Sequence, residues 1–142
     1  MKVLSVFLLV IMVFSSCTDD HEEPSPTTTG SYSGTFTGYV SPTFVSGNCK
    51  GDFVEKDSKI SGVCVFSPNV FNGFAATSLS FPVTATLKME GDTIYGINGT
   101  ISIGMGIGDV PLAGTVSKDK KTIKMSCNPA IVFNLKWTLI KD

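Results

Sequence analysis

The chain contains no arginine, and its single histidine and single tryptophan are His21 and Trp137. All eleven basic residues are lysines, so the planar guanidinium groups that bind phosphate or carboxylate through paired hydrogen bonds are absent. Lysines can still bind anions, but less selectively. Ten of the eleven lysines and eight of the twelve acidic residues lie in residues 30–142, which are therefore close to neutral. This balance gives no electrostatic case for a nucleic-acid partner.

The domain also lacks the residue combinations of common catalytic and metal sites. His21 precedes it, so a positioned histidine base and a His-rich metal site are excluded there. No Ser-His-Asp, Cys-His or CxxC arrangement can be assembled, and we predict no enzyme, no catalytic residues, no metal and no cofactor. A glycosidase pair stays open, since it needs only two carboxylates about 5–9 Å apart. The candidate carboxylates lie at or beside turns, where Asp is favoured for turn geometry, and are Asp52, Glu55, Asp57, Asp92 and Asp109.

No stretch of the domain has apolar residues at helical spacing, whereas alternation with period two is frequent. The segment 81–89 places apolar residues, Met89 included, on one face, and 131–139 repeats the pattern around Trp137. Such alternation indicates antiparallel strands with one buried face and one wet face. Turn signals divide the domain into eight predicted strands. Their approximate bounds are 31–40, 49–55, 59–66, 81–89, 93–103, 110–117, 121–127 and 131–141.

The connections between most of these strands are short, which makes sequential strands antiparallel neighbours. The two longer connections, 41–48 and 67–80, are the places where binding is expected. An eight-stranded meander has two exposed edges unless its last strand pairs with its first. We therefore predict an all-β, up-and-down β-barrel. A sandwich of two four-stranded sheets is the alternative.

Two of the four cysteines are candidates for a disulfide. If Lys56 and Asp57 form a two-residue hairpin loop, Cys49 lies directly opposite Cys64 on a shared inward face. Closing about 15 residues would contribute roughly 3 kcal/mol in the chain-entropy model. A three-residue loop would separate the two cysteines by one position. The alternative is a pair of free buried thiols, and Cys127 is expected in the core as well.

The N-terminal segment resembles a bacterial lipoprotein signal. Lys2 is followed by an apolar run over 3–14, which is shorter than the roughly 20 residues of a spanning helix, and then by two serines and Cys17. The resemblance implies that residues 1–16 are a signal peptide and that Cys17 is the lipidated first residue of the mature chain. Phe14 departs from the pattern, which usually has Leu three residues before the cysteine. An ordinary secretory signal or a buried apolar strand is the alternative.

Residues 17–29 are predicted to be a lipidated, acidic tether. Thr18 replaces the Asp that marks inner-membrane retention in the enteric version of the signal. The acidic residues that follow, at 19, 20, 22 and 23, resemble the export signal of surface lipoproteins of Bacteroidetes. The resemblance implies an outer-membrane and surface location, and a solvated spacer is the alternative. The Pro/Thr-rich stretch 24–29 lacks apolar content and is expected to be extended and mobile.

Three features of the domain, 30–142, carry a family resemblance. The segments 30–36 (GSYSGTF) and 110–116 (VPLAGTV) and the terminal strand with Trp137 resemble the calycin-like, lipocalin-like β-barrel lipoproteins of Bacteroidetes. The resemblance implies a small barrel with an apolar interior. It implies no catalytic residues.

Two functions of different classes follow. In the first, the barrel binds a small apolar or amphipathic ligand. In the second, the interior is filled and the outer face or the loops contact an envelope protein, since small eight-stranded barrels are often packed solid. Phe71 and Phe74 would then be an exposed contact or a lid on one barrel mouth. The candidate lining residues are Phe36, Phe66, Phe81, Ile103, Leu112, Phe133 and Trp137.

Overall fold

A computed structural model describes residues 23–40, 42–69, 77–104, 106–130 and 133–142. Val40, Pro129, Ala130 and Phe133 are described by their backbone alone. The described part is all-β, and it holds no helix that is long and apolar enough to cross a membrane. Its eight strands are β1 (Gly30–Val40), β2 (Thr43–Lys56), β3 (Lys59–Pro68), β4 (Leu79–Glu90), β5 (Ile94–Ser102), β6 (Asp109–Ser117), β7 (Thr122–Ala130) and β8 (Phe133–Lys141).

The strands pair in sequence order, and β8 also pairs with β1, so the sheet closes into a barrel. All neighbours are antiparallel, and at the closing seam Phe36 lies opposite Trp137. Closure removes both edge strands, which is the physical reason for expecting it in a meander. The predicted barrel is confirmed, and the sandwich is wrong.

The inward positions of the strands form one apolar core. In β4, Phe81, Val83, Ala85 and Leu87 are buried while the residues between them are exposed, as the alternation predicts. Met89, predicted on this inward face, is 44% exposed because it lies near the end of the strand.

Residues 43–48 belong to β2 and do not form the predicted loop. Val45, Gly47 and Cys49 are buried at alternating positions, whereas Phe44 is 67% exposed. The predicted loop 41–48 includes Gly47, but a Cβ there would lie 2.2 Å from the carbonyl oxygen of Ser67. The glycine therefore allows β3 to approach closely inside the sheet, and β1 and β2 pair as far as Val40 and Thr43.

The β2–β3 hairpin turns at Asp57 and Ser58, which have φ values of 52° and 59°. This turn comes one residue later than predicted, so each β3 partner shifts by two positions. Cys49 lies opposite Phe66, and Cys64 lies opposite Gly51. The two cysteines are diagonal neighbours, for which Cα separations are about 7–8 Å, beyond the usual disulfide range of about 4.4–6.8 Å. Both thiols are free in this structure, which corresponds to the alternative of two free buried cysteines.

The barrel has two different ends. One end carries the turns 57–58, 91–93 and 118–121, together with residues 23–29 and Asp142. We call it the strap end, and residues 27–29 the strap. The opposite end, the loop end, carries the connections 41–42, 69–78, 103–108 and 131–132. Phe71 and Phe74 belong to the second of these and lie outside the described residues.

Candidate functional site

Four of the predicted lining residues form a cluster of aromatic rings in the core. The ring of Phe66 lies 5.1 Å from that of Phe36, 5.9 Å from that of Phe81 and 5.2 Å from that of Trp137. Two of the three contacts are edge-to-face, an arrangement that adds about 0.5–1.5 kcal/mol per pair to the burial of apolar area. All four side chains are buried. The rings therefore contact one another within the space that a ligand would need.

The other predicted lining residues follow the same pattern where they are described. Ile103 and Leu112 are buried in the same core. The backbone of Phe133 pairs with Val40 at the closing seam, and its side chain lies outside the described residues. The structure thus places six of the seven candidates in one packed core, toward the loop end of the barrel.

Three buried thiols lie in the same core. Burial raises the pKa of Cys49 to about 12 and that of Cys127 to about 11. Burial also raises the pKa of Cys64 to about 12; the nearby thiols of Cys49 and Cys127 add to the rise, and the indole N–H of Trp137 offsets part of it. Since the thiolate is the reactive form, these cysteines are poor nucleophiles at neutral pH. They are small core residues.

The indole nitrogen of Trp137 is a buried donor without a partner among the described residues. It points toward the thiol of Cys64, but no acceptor meets the geometry of a hydrogen bond. A buried unpaired N–H costs about 1–3 kcal/mol, so its presence inside an otherwise apolar core is unusual.

Polar groups close the strap end of the barrel. The carboxylate of Glu55 accepts hydrogen bonds from the backbone N–H of Thr28 at 2.7 Å and from its hydroxyl at 2.6 Å. Its other oxygen lies 2.5 Å from Nζ of Lys120. Thr28 is fully buried and Lys120 is 6% exposed. Strap and turn 118–121 therefore meet at one carboxylate.

Glu55 is held in its charged form. Burial alone would raise its pKa, but the hydrogen bonds from Lys120 and Thr28 outweigh burial and lower the pKa from 4.5 to about 2. Nζ of Lys120 also lies 4.8 Å from the ring centre of Tyr95, within the range of a cation–π contact. The hydroxyl of Tyr32 donates to the carbonyl oxygen of Lys120 at 2.7 Å. The charges of Glu55 and Lys120 are thus paired with each other.

The strap contradicts part of the predicted tether. Thr28 is buried, Oγ1 of Thr29 accepts from the backbone N–H of Glu55, and the carbonyl oxygen of Thr27 accepts from Nζ of Lys141. These three threonines are therefore part of the barrel and not a mobile spacer. Composition alone suggested disorder, but the hydrogen-bond partners come from distant parts of the chain.

Two of the candidate carboxylates are engaged by neighbouring protein groups. Glu55 is engaged by the strap, and Asp52 accepts a hydrogen bond from Ser31 on the neighbouring strand. Within the described ranges, no group of three or more His, Cys, Asp and Glu side chains is arranged to hold a metal ion. Cys17 and residues 1–22 lie outside the described residues.

A groove on the outer face of the barrel is the concave feature that sequence reasoning missed. It has a volume of about 360 Å³ and runs across β6, β7, β8 and β1. Alternation with period two indicates which residues of a single strand face outward, but only closure of the barrel places β1 beside β8. Its polar side chains are Thr35, Thr37, Thr115, Lys124, Ser126, Lys136 and Thr138.

The described fold is a closed, eight-stranded antiparallel barrel, compatible with the calycin-like class. Comparisons of the chain with protein-family models, with curated proteins and with solved structures find no match.

Proposed function

We propose that this chain is a non-catalytic binding protein of the bacterial outer membrane, anchored by a lipid at Cys17 and exposed at the surface, whose filled barrel contacts an envelope partner through its outer face. The anchor is supported by the sequence of residues 1–23. The filled barrel is supported by the structure.

The observation that carries this proposal is the aromatic cluster. Phe66 contacts Phe36, Phe81 and Trp137 at ring distances of 5.1–5.9 Å, and these rings lie within the core toward the loop end. An apolar ligand could enter only if these contacts were broken. A rigid, packed barrel instead serves as a scaffold for groups on its surface.

A small apolar or amphipathic ligand is the second candidate. The unpaired indole N–H of Trp137 favours it, because a ligand with a carbonyl or ether oxygen would supply the missing acceptor. Phe81 and Ile103, with 9% and 8% exposure, are the most exposed members of the core and lie toward the loop end. Entry would therefore occur at that end.

Fluorescence of the only tryptophan separates these candidates. Purified, delipidated protein is titrated with fatty acids, monoacylglycerols and phospholipids while the emission of Trp137 is recorded, and native mass spectrometry checks for bound lipid. The filled barrel predicts no saturable change. A saturable shift with a co-purified lipid would replace the first proposal with the second. Phe81→Trp supplies a second reporter at the loop end.

The anchor is tested separately. Cells expressing the chain are fed an alkyne-labelled palmitate, and labelling is compared between the native chain, Cys17→Ala and Cys127→Ala. We expect labelling of the native chain and of Cys127→Ala, and none of Cys17→Ala. Label retained in Cys17→Ala would refute lipidation at this residue.

A further inference from the structure

The groove on the outer face has an ordered set of polar side chains. Thr115, Lys124, Thr138 and Thr35 lie in register across β6, β7, β8 and β1 and form one transverse row. The next row toward the loop end contains Ser126, Lys136 and Thr37. Residues of both rows point outward, because the buried residues of these strands alternate with them. The groove thus presents two lysines and five hydroxyls on one face.

The two lysines are diagonal neighbours. Lys124 lies opposite Thr138 and Lys136 lies opposite Ser126, so the lysines are offset by two residues across the β7–β8 pair. Diagonal positions of this kind have Cα separations of about 7–8 Å. Two flexible ammonium groups at that separation can contact one anionic group together. None of the described residues that line the groove is a carboxylate.

These side chains keep their bonding capacity for a ligand. Among the described residues, none of the seven makes a side-chain hydrogen bond or ion pair with another protein group. Lys120 and Lys141 differ, because each is bound to a group at the strap end. The polar groups of the strap end stabilise the fold, whereas those of the groove face solvent.

Two glycines allow close approach of neighbouring strands at the groove. Gly114 lines the groove, and a Cβ there would lie 2.0 Å from the carbonyl oxygen of Lys124. At Gly34, on β1, a Cβ would lie 1.8 Å from the carbonyl oxygen of Thr138, so the absence of a side chain lets the strands lie close together there as well. The groove is therefore part of the sheet and needs no loop movement to form.

We propose that this groove binds a small acidic saccharide, with the carboxylate or phosphate held by Lys124 and Lys136. Lysine binds an anionic group as a point charge, and Ser/Thr hydroxyls both donate to and accept from sugar hydroxyls. A flat lipid surface does not reach into a depression, and nucleic acid would call for more phosphate contacts and exposed aromatic rings. The inference rests on the proposed function in one respect, namely that binding occurs on the outer face.

Titration calorimetry of the full chain in neutral detergent tests the groove. The probes are glucuronic acid, glucose 6-phosphate, glucose and inorganic phosphate at equal ionic strength. We expect both acidic sugars to bind, glucose and phosphate to bind at least tenfold more weakly, and added salt to weaken binding. Absence of binding by both acidic sugars at millimolar concentration would overturn the proposal. Phosphate binding as strongly as glucose 6-phosphate would also overturn it, because the site would then recognise an anion alone.

Variants locate the binding site. Lys124→Met with Lys136→Met should lower the affinity for both acidic sugars at least tenfold, and Thr138→Val should lower it severalfold. Lys88→Met and Thr84→Val are matched controls, because both residues face outward on β4. Circular dichroism confirms that each variant is folded. Unchanged binding of both acidic sugars by the double lysine variant would overturn the assignment of the site to the groove. The palmitate labelling and the lipid titration would still test the proposed function independently.

Discussion

At the scale of single residues, Glu55 connects three separate parts of the chain. Its carboxylate accepts from Thr28 in the strap and from Lys120 in the turn between β6 and β7. Its backbone N–H donates to Thr29. A carboxylate with this many charge-assisted bonds stabilises the native state more than an exposed ion pair does.

Glu55→Gln tests that contribution. The change removes the negative charge opposite the buried ammonium of Lys120, so we expect the free energy of unfolding to fall by about 1.5–3 kcal/mol. Urea denaturation at pH 7 measures it. Glu90→Gln is the matched control, because Glu90 is exposed and unpaired within the described chain, and it should change the stability by less than about 0.5 kcal/mol.

The same residue predicts acid sensitivity. The pKa of Glu55 is about 2 in the folded chain, whereas its ordinary value, which applies to the unfolded chain, is 4.5. As the pH falls, the unfolded chain therefore takes up the proton first. The stabilisation is therefore complete above about pH 4.5 and is lost between about pH 4.5 and pH 2. Denaturation curves across this window should show a smaller decline for Glu55→Gln than for the native chain. Parallel declines would contradict the role assigned to Glu55.

The thiols give a second test at the residue scale. Cys49, Cys64 and Cys127 are free and buried, with pKa values raised to about 12, 12 and 11. In the Cys17→Ala variant, an aromatic disulfide reagent at pH 8 should leave the three thiols unreacted in the folded protein and modify all three in guanidinium chloride. A count of one under denaturing conditions would show that two of the three are bonded to each other, as in the alternative of a Cys49–Cys64 disulfide.

At the scale of the strands, the β1–β8 seam depends on a glycine. A Cβ on Gly34 would lie 1.8 Å from the carbonyl oxygen of Thr138, which is backbone and cannot rotate away. Gly34→Ala should therefore destabilise the protein by about 3 kcal/mol or more, at the upper end of the cost of overpacking. Ser33→Ala, one residue earlier on the outer face, should stay within about 0.5 kcal/mol. Equal urea midpoints for the two variants would show that the seam can open to admit a side chain.

The strands also show how far sequence reasoning reaches. The alternation in β4 and β8 could be recognised directly, because a period of two reports burial on one face whatever the partner strand is. The β2–β3 register could not be recognised from the sequence, because Asp57 is equally suitable for a turn starting at Lys56 or at Asp57. One residue in the turn decides whether Cys49 lies opposite Cys64 or Phe66. The local sequence alone does not determine which of the two registers forms.

Some features of the candidate site could be predicted from the sequence and others could not. The aromatic members of the core were predictable because large apolar residues at inward positions must be buried somewhere in the barrel. The groove and the strap were not, because both depend on residues that are brought together by closure. Thr28 and Glu55 are 27 residues apart in sequence, and Glu55 and Lys120 are 65 apart. Such contacts follow from the three-dimensional arrangement and leave no periodic signal.

At the scale of the whole molecule, closure makes each strand dependent on both of its neighbours. Every strand from β1 to β8 pairs on two sides, so no strand can leave without breaking two ladders. We expect a single cooperative transition, in which Trp137 fluorescence from β8 and far-ultraviolet circular dichroism from the whole sheet give the same midpoint. Separate midpoints would identify a part of the barrel that unfolds alone.

The strap also sets how the barrel would stand on a membrane. The chain enters the barrel at the strap end, so an anchor at Cys17 would hold that end toward the lipid and point the loop end outward. Only nine residues, 18–26, separate Cys17 from Thr27. The ten steps from Cys17 to Thr27 span at most about 33–36 Å when fully extended. The groove would lie on the flank of the barrel, accessible from the side.

The strap has a mechanical consequence. A pull on the chain before residue 27 reaches the sheet through bonds to three separate points: Thr27 is held by Lys141, Thr28 by Glu55, and Thr29 by the backbone of Glu55. These bonds stand between the pulled segment and β1, so they must break before the force reaches the ladders of β1. Under tension, the strap should detach first while the barrel stays closed. The strap would then protect the sheet from tension on a lipid anchor at Cys17, because it would detach before the sheet unfolds.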